Sequence, residues 1–315
     1  MALQKIGVLI PTREAVMGGK QDAEPLLDFA VRAEQAGFDS VWAGDSLLAR
    51  PRFEPLTLLA AAAARTRRVE LGTAVLIAPL RNPVALAQAA ATVDRIAQGR
   101  LILGLGMASK GAAIEAEFAA AGADFARRAG RLREAVRLMP ELWRGEPVRF
   151  AGRYTTLDGA ALLPTPARPG GPPLWIGGSG PFSLKVAGEL AAGWFPNSAN
   201  PEAFREGWRA VAQAAQAAGR TAPLRALYAT VVLDDNAARA QEELKSFIER
   251  YYAGRFDALA KRQGCVAGRL DTVLDWLAAF VAEGVEHLVL RFGGADQAAQ
   301  LERASRDLLP RLRAL

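Results

Sequence analysis

The chain has one cysteine, Cys265, and one histidine, His287. A single thiol excludes an internal disulfide framework and fits a reducing compartment; a single imidazole excludes metal centres that need two or more histidine ligands. Cys265 is expected to be a small buried residue, and His287, inside EHLVLRF, a structural residue of a strand. Long apolar runs are also missing. None reaches the roughly 18 to 20 residues that span a bilayer, so no membrane anchor is expected. The start, MALQKIGVLIP, moves from one lysine straight into a strand, without the apolar segment and cleavage site of a signal peptide, which points to the cytoplasm. Charge of one sign is scarce too: 39 basic residues face 33 acidic ones, a net +6. Arginine is scattered along helices with no aromatic-interleaved basic run, which argues against a nucleic-acid partner and for an anionic small ligand.

What is present is organised around residues 69–106. Val69 to Ile77 is a β-branched apolar run closed by Pro79. Asn82 is an N-cap, Pro83 suits the first helical position, and apolar positions recur at helical spacing to Ile96. Gly99 ends that helix, and RLILGL from Arg100 is a second apolar strand. Strands apolar on both faces belong to parallel sheets covered by helices, with ligands at the C-terminal strand ends.

The same phrase recurs. Strands are expected at Lys5–Pro11, SVWAG, Leu174–Gly177, Trp194–Phe195, Leu224–Leu233 and His287–Phe292, alternating with helices at 22–36, 55–65, 126–143, 181–191, from 200, 237–252, 270–283 and from 296. Thr12 to Gln21, with Gly18-Gly19, is expected as a long loop, mobile or functional, and the stretch before Gly268 as irregular. Pro140 should kink or shorten its helix. Six prolines make Gly145 to Pro173 an insertion, with a small hairpin about Gly152. About eight strands in 315 residues match a (β/α)8 TIM barrel with insertions, one domain over residues 1–315 with the Pro-rich hairpin at about 145–173.

Three motifs carry chemistry. Gly104-Leu105-Gly106-Met107-Ala108-Ser109 nearly spells a dinucleotide fingerprint, but it follows the wrong strand and lacks the final glycine and the ribose-binding acid, so a barrel-top loop is the better reading. Gly177-Gly178-Ser179-Gly180-Pro181 joins a strand to a helix and leaves amides free for a phosphate; a tight turn without a ligand is the alternative. Asp45-Ser46 follows SVWAG at the top face, where the carboxylate either works on a ligand or holds its own loop by accepting backbone hydrogen bonds.

GFDSVWAGDS, EPLTLLAAAAARTRRVELGTAVL, RNPVALAQAAATVDRIAQGRLILGLG, RAGRLREAVRLMPELW, PPLWIGGSG and AAGWFPN, in this order, resemble the bacterial luciferase-like superfamily of flavin- and deazaflavin-dependent oxidoreductases. The resemblance implies a TIM barrel that binds FMN or coenzyme F420 at the C-terminal strand ends. It implies a non-prolyl cis peptide behind the cofactor ring, here Ala74-Val75, and a cofactor phosphate at Gly177 to Gly180, with Gly106 beside the site. Asp45 and Ser46, the candidate catalytic residues, stand where many members have Asp-His, whose histidine is often assigned to catalysis or to intermediate stabilisation. Ser46 replaces the histidine, and a hydroxyl does not carry an imidazole's proton chemistry near neutral pH, so it is expected to position or hydrogen-bond. Ser109 stands near where sugar-phosphate-oxidising members place a glutamate, which disfavours that substrate. The first expectation is an FMN monooxygenase using molecular oxygen on a small organic substrate. The alternatives are F420-dependent hydride transfer, a non-catalytic flavin-binding protein, and a barrel enzyme whose GGSG turn holds a substrate phosphate. The sequence sets no oligomer number; a homodimer is one option.

Overall fold

The computed structural model describes residues 2–315. Eight parallel strands close into a barrel: β1 (Lys5–Leu9), β2 (Ser40–Ala43), β3 (Glu70–Thr73), β4 (Leu101–Gly106), β5 (Leu174–Gly177), β6 (Gly193–Phe195), β7 (Leu224–Leu233) and β8 (His287–Phe292). Each pairs with its neighbour in sequence order, and β8 returns to β1 with Val8 opposite Leu290. Helices cover the outside. In the one over residues 83–96, Asn82 accepts from the amides of Val84 and Ala85, Pro83 takes the first turn, and Gly99 follows at φ 82°. The apolar stripe at Leu86, Ala87, Ala90 and Val93 is buried against the sheet.

The barrel interior is filled by aromatic rings, for which glycines make room. Trp42 and Trp175 lie 5.2 Å apart between centroids, with Phe195 against both. A methyl at Gly72 would overlap the Trp42 ring, and one at Gly193 would come within 2.5 Å of Trp175. Below them the Ser40 hydroxyl meets His287 Nε2 at 2.8 Å and accepts the Trp42 indole N–H at 2.7 Å. His287 is therefore the polar base of the plug, and burial lowers its pKa to about 3.

Four local expectations change. Thr12 to Met17 forms a short helix, with Gly18-Gly19 ending it, so the loop is 18–23, before the helix Glu24–Gln35. Ala112–Ala120 is a helix that the sequence pattern does not announce. Cys265–Gly268 is a strand pairing with Thr230–Leu233, above the point where β6 leaves β7. Pro140 sits inside the Arg128–Leu142 helix without ending it, because Trp143 N–H still reaches Met139 O at 3.1 Å and closes the last turn. The insertion does hold an antiparallel hairpin, Val148–Ala151 with Thr156–Ala160. No helix among the described residues is long and apolar enough to cross a membrane.

Candidate active site

The run expected as one strand, Val69 to Ile77, is broken. β3 ends at Thr73, the Ala74-Val75 peptide is cis, and Leu76–Ile77 resumes by pairing with Leu105 and Gly106. Three glycines accept this detour. A methyl at Gly104 would overlap the Thr73 carbonyl oxygen, one at Gly106 would lie 2.6 Å from Val75 Cγ2, and one at Gly177 would lie 2.8 Å from Val75 Cγ1. The Gly-Leu-Gly of the near-fingerprint thus serves packing, and Gly106 supports Val75 from behind.

In front of this bulge, at the C-terminal ends of the strands, opens a cavity of about 400 Å³. One wall is Ala74, Val75 and Ile77, and the facing glycine turn contributes Gly177, Gly178 and Ser179, with Phe195 beside it. Gly178 has φ +106°, a conformation a side chain resists. Gly180 caps the Pro181–Leu190 helix without a side-chain acceptor, so the first-turn amides have no cap partner. Gly180 itself stands just outside the cavity wall. This cradle suits a cofactor phosphate.

The β2 loop supplies Asp45, Ser46, Arg50 and Arg52. Asp45 is fully engaged: Oδ2 accepts from Ile77 N at 2.8 Å and Arg81 Nη1 at 2.6 Å, and Oδ1 from Arg81 Nη2 at 3.0 Å. Its side chain is 1% exposed. The carboxylate therefore ties the end of β2 to the bulge, the loop-holding reading extended by a guanidinium. Ser46 donates to Glu117 Oε1 at 2.7 Å and accepts from Arg50 N at 2.9 Å. Glu117, buried on the Ala112–Ala120 helix, also accepts from Leu48 N at 2.8 Å. Sequence reasoning missed this residue, which sits in an alanine-rich stretch with no motif around it. Ala108, Ser109 and Ile114 complete that side.

The remaining wall was also missed. Tyr228, Tyr251 and Tyr252 face the cavity, with Asn197 and Arg262 nearer the rim. Behind the tyrosines Arg291 is buried, bonded through Nη2 to Thr230 Oγ1 at 2.7 Å and through Nη1 to the Tyr252 hydroxyl at 3.0 Å. Burial raises the Tyr228 phenol well above its ordinary value, against the pull of Arg291. Burial likewise pushes the Glu14 carboxyl up, again opposed by Arg291.

A family model described as luciferase-like monooxygenase matches residues 4–287. The chain belongs to this family. Luciferase-like proteins of this kind are oxidoreductases that use FMN or F420, and the chain is such an enzyme. It is 32% identical over 326 residues to an F420-dependent glucose-6-phosphate dehydrogenase of Amycolatopsis mediterranei (strain U-32), covering 92% of this chain and 95% of the relative. A protein of the same description from Rhodococcus erythropolis (strain PR4 / NBRC 100887) is 34% identical over 343 residues, covering 96% and 99%. The luciferase-like fold is shared with an F420-dependent secondary alcohol dehydrogenase solved with an F420-acetone adduct (TM-score 0.84, 23% identity, 99% of this chain and 100% of that one). It is also shared with the oxygenating constituent of 3,6-diketocamphane monooxygenase from Pseudomonas putida (TM-score 0.75, 21% identity, 98% of each chain).

Proposed function

We propose that this enzyme is an F420-dependent oxidoreductase that moves a hydride between the deazaflavin and a small organic substrate in the cytoplasm. The observation that carries the reading is the near full-length kinship, at 32% and 34% identity, with F420-dependent dehydrogenases. The FMN-with-oxygen reading expected first from the sequence rests on the description of the family model and on fold likeness to monooxygenases, with no curated relative of comparable identity among those named above.

The cavity fits the cofactor on its own geometry. Gly178, Ser179 and the first turn of the 181–190 helix would hold the phosphate, and Ala74-Val75 would back the ring. F420, when bound, supplies the carbon that accepts or gives the hydride. The chain's residues supply position and exclusion of water. Asp45 and Ser46 act in this reading as positioning groups: one fixes the bulge through Ile77 N–H, the other fixes the Arg50 loop through Glu117. Glucose 6-phosphate is not assigned as substrate, because Ser46 and Ser109 stand where sugar-phosphate-oxidising members are expected to carry proton-transfer groups.

The test titrates the purified chain with F420 and with FMN, following protein fluorescence. Reduction of F420 is then followed without oxygen, using secondary alcohols, hydroxy acids and sugar phosphates. F420 binding with reduction by one of these classes supports the reading. Selective FMN binding with oxygen-dependent substrate turnover would overturn it.

A further inference from the structure

We propose that the cavity carries an anion subsite, formed by Arg50 and Arg52 and backed by Arg13, which takes the carboxylate or phosphate head group of the substrate. This rests on the oxidoreductase reading above. The subsite lies away from the phosphate cradle: Arg50 and Arg52 follow β2, three strands from β5 round the closed barrel, and Arg13 behind them follows β1, four strands from it.

Four cations gather around a single acid, Glu14. The Arg50 guanidinium lies over Tyr252 at 5.0 Å, and those of Arg13 and Arg52 over Tyr251 at 5.0 and 5.7 Å. Arg291 approaches the same Tyr251 ring at 4.3 Å. Among the described residues no carboxylate forms an ion pair with any of the four, and Glu14, the one acid buried among them, has both carboxylate oxygens without a hydrogen-bond partner. Arg13 Nε and Nη1 are buried and also lack partners, in a residue that is 9% exposed. Like charges this close, out of water, are unfavourable unless an anion joins them. Burial and the Arg52 charge lower the affinity of Arg13 for its proton, whereas Arg52 keeps its own more firmly despite burial, through Tyr251 and Glu14.

The fold also makes room for this arrangement. Gly44 lies against Arg52, and a methyl there would overlap the Nη1 end of the guanidinium. Arg52 Nε–H is spent on the Arg50 carbonyl at 3.1 Å, which fixes the fork. Stacking on a tyrosine face leaves the in-plane N–H donors of a guanidinium available, and those donors match the paired oxygens of a carboxylate or phosphate. A substrate gripped at its anionic end would present its reacting carbon toward the Ala74-Val75 wall.

The experiment uses the chain loaded with F420, as wild type, Arg52→Gln and Arg50→Gln. Inorganic phosphate and acetate are titrated separately, read by deazaflavin fluorescence and by the rise in melting temperature. F420 affinity is measured in the same proteins. The expected result is that wild type binds one or both anions and that each variant weakens this by about tenfold, the effect of losing one charge-assisted hydrogen bond, with F420 affinity unchanged. Phosphate alone points to phosphate esters and acetate alone to carboxylic acids. The half-buried Arg50 keeps the test open if losing Arg52 disturbs the packing at Gly44. Binding of neither anion by wild type, undiminished binding in both variants, or a loss of F420 affinity instead would each overturn the subsite. If no protein binds F420, the cofactor reading fails, and the same titrations on the unloaded chain still decide the subsite.

Discussion

The Ser46 hydroxyl donates to Glu117 Oε1 at 2.7 Å, joining residues 71 positions apart. Through it the loop from Ser46 to Arg50 hangs on a helix that carries no recognised motif. Ser46→Ala removes that bond and the acceptor for Arg50 N–H. The expected loss in kcat/KM is about tenfold, about 1.4 kcal/mol, within what two hydrogen bonds of about 0.5–1.5 kcal/mol net each supply. The pH profile should not move, since a serine hydroxyl does not titrate near neutrality. Kinetics across pH on both proteins check this; a displaced optimum or abolished chemistry with binding intact would make Ser46 a proton carrier.

The barrel was legible because its strands and junctions are local signals: β-branched runs, an Asn-Pro helix start, glycine stops. The glycine turn at residues 177–180 was legible for the same reason. The partners of the site were not. Asp45 meets Arg81 and Ser46 meets Glu117 only after the barrel closes. The tyrosine wall draws on β7 and on the end of the 237–252 helix, while its arginines come from the short helix after β1, the loop after β2 and β8 itself. The glycines of GLGMAS nearly spell a dinucleotide fingerprint and read as a barrel-top loop, but the sequence holds no sign that what they accommodate is the Thr73 carbonyl and the Val75 methyls, a constraint set by the neighbouring strand. The Ala112–Ala120 helix escaped notice because alanine fills both its faces and leaves no clear apolar stripe.

Asp45 and Arg81 form a buried pair, with side-chain exposures of 1% and 17%. Removing one partner strands the other, so Asp45→Ala should cost about 3 kcal/mol or more of unfolding free energy. Urea denaturation of the two proteins measures it. A loss of activity at unchanged stability would instead return the carboxylate to a chemical role.

Two glycines should separate fold from binding. Gly104→Ala drives a methyl into the Thr73 carbonyl oxygen and should lower the melting temperature. Gly178→Val acts at an exposed left-handed residue, at a backbone cost of about 1–2 kcal/mol, and should mainly weaken cofactor binding. Melting curves paired with F420 titrations distinguish them. Undiminished affinity in Gly178→Val would take the turn out of the site.

His287 should leave a mark on stability against pH. In the folded chain burial holds its pKa at about 3, below the ordinary value of 6.5. Between these two values the unfolded chain binds a proton that the folded chain refuses, so stability rises with pH across the window. The contribution is complete above the unfolded value and is lost as pH falls toward the folded one, at up to about 1.4 kcal/mol per pH unit. Buried carboxylates such as Glu14 add slopes of their own, so the quantity to read is the difference between wild type and His287→Gln, whose amide can still meet the Ser40 hydroxyl. Urea unfolding at about pH 4.5 and pH 7.5 should show wild type losing more stability on acidification than the variant. Equal losses would mean that the imidazole takes up its proton inside the folded barrel, and that the polar base formed by Ser40, Trp42 and His287 opens to water.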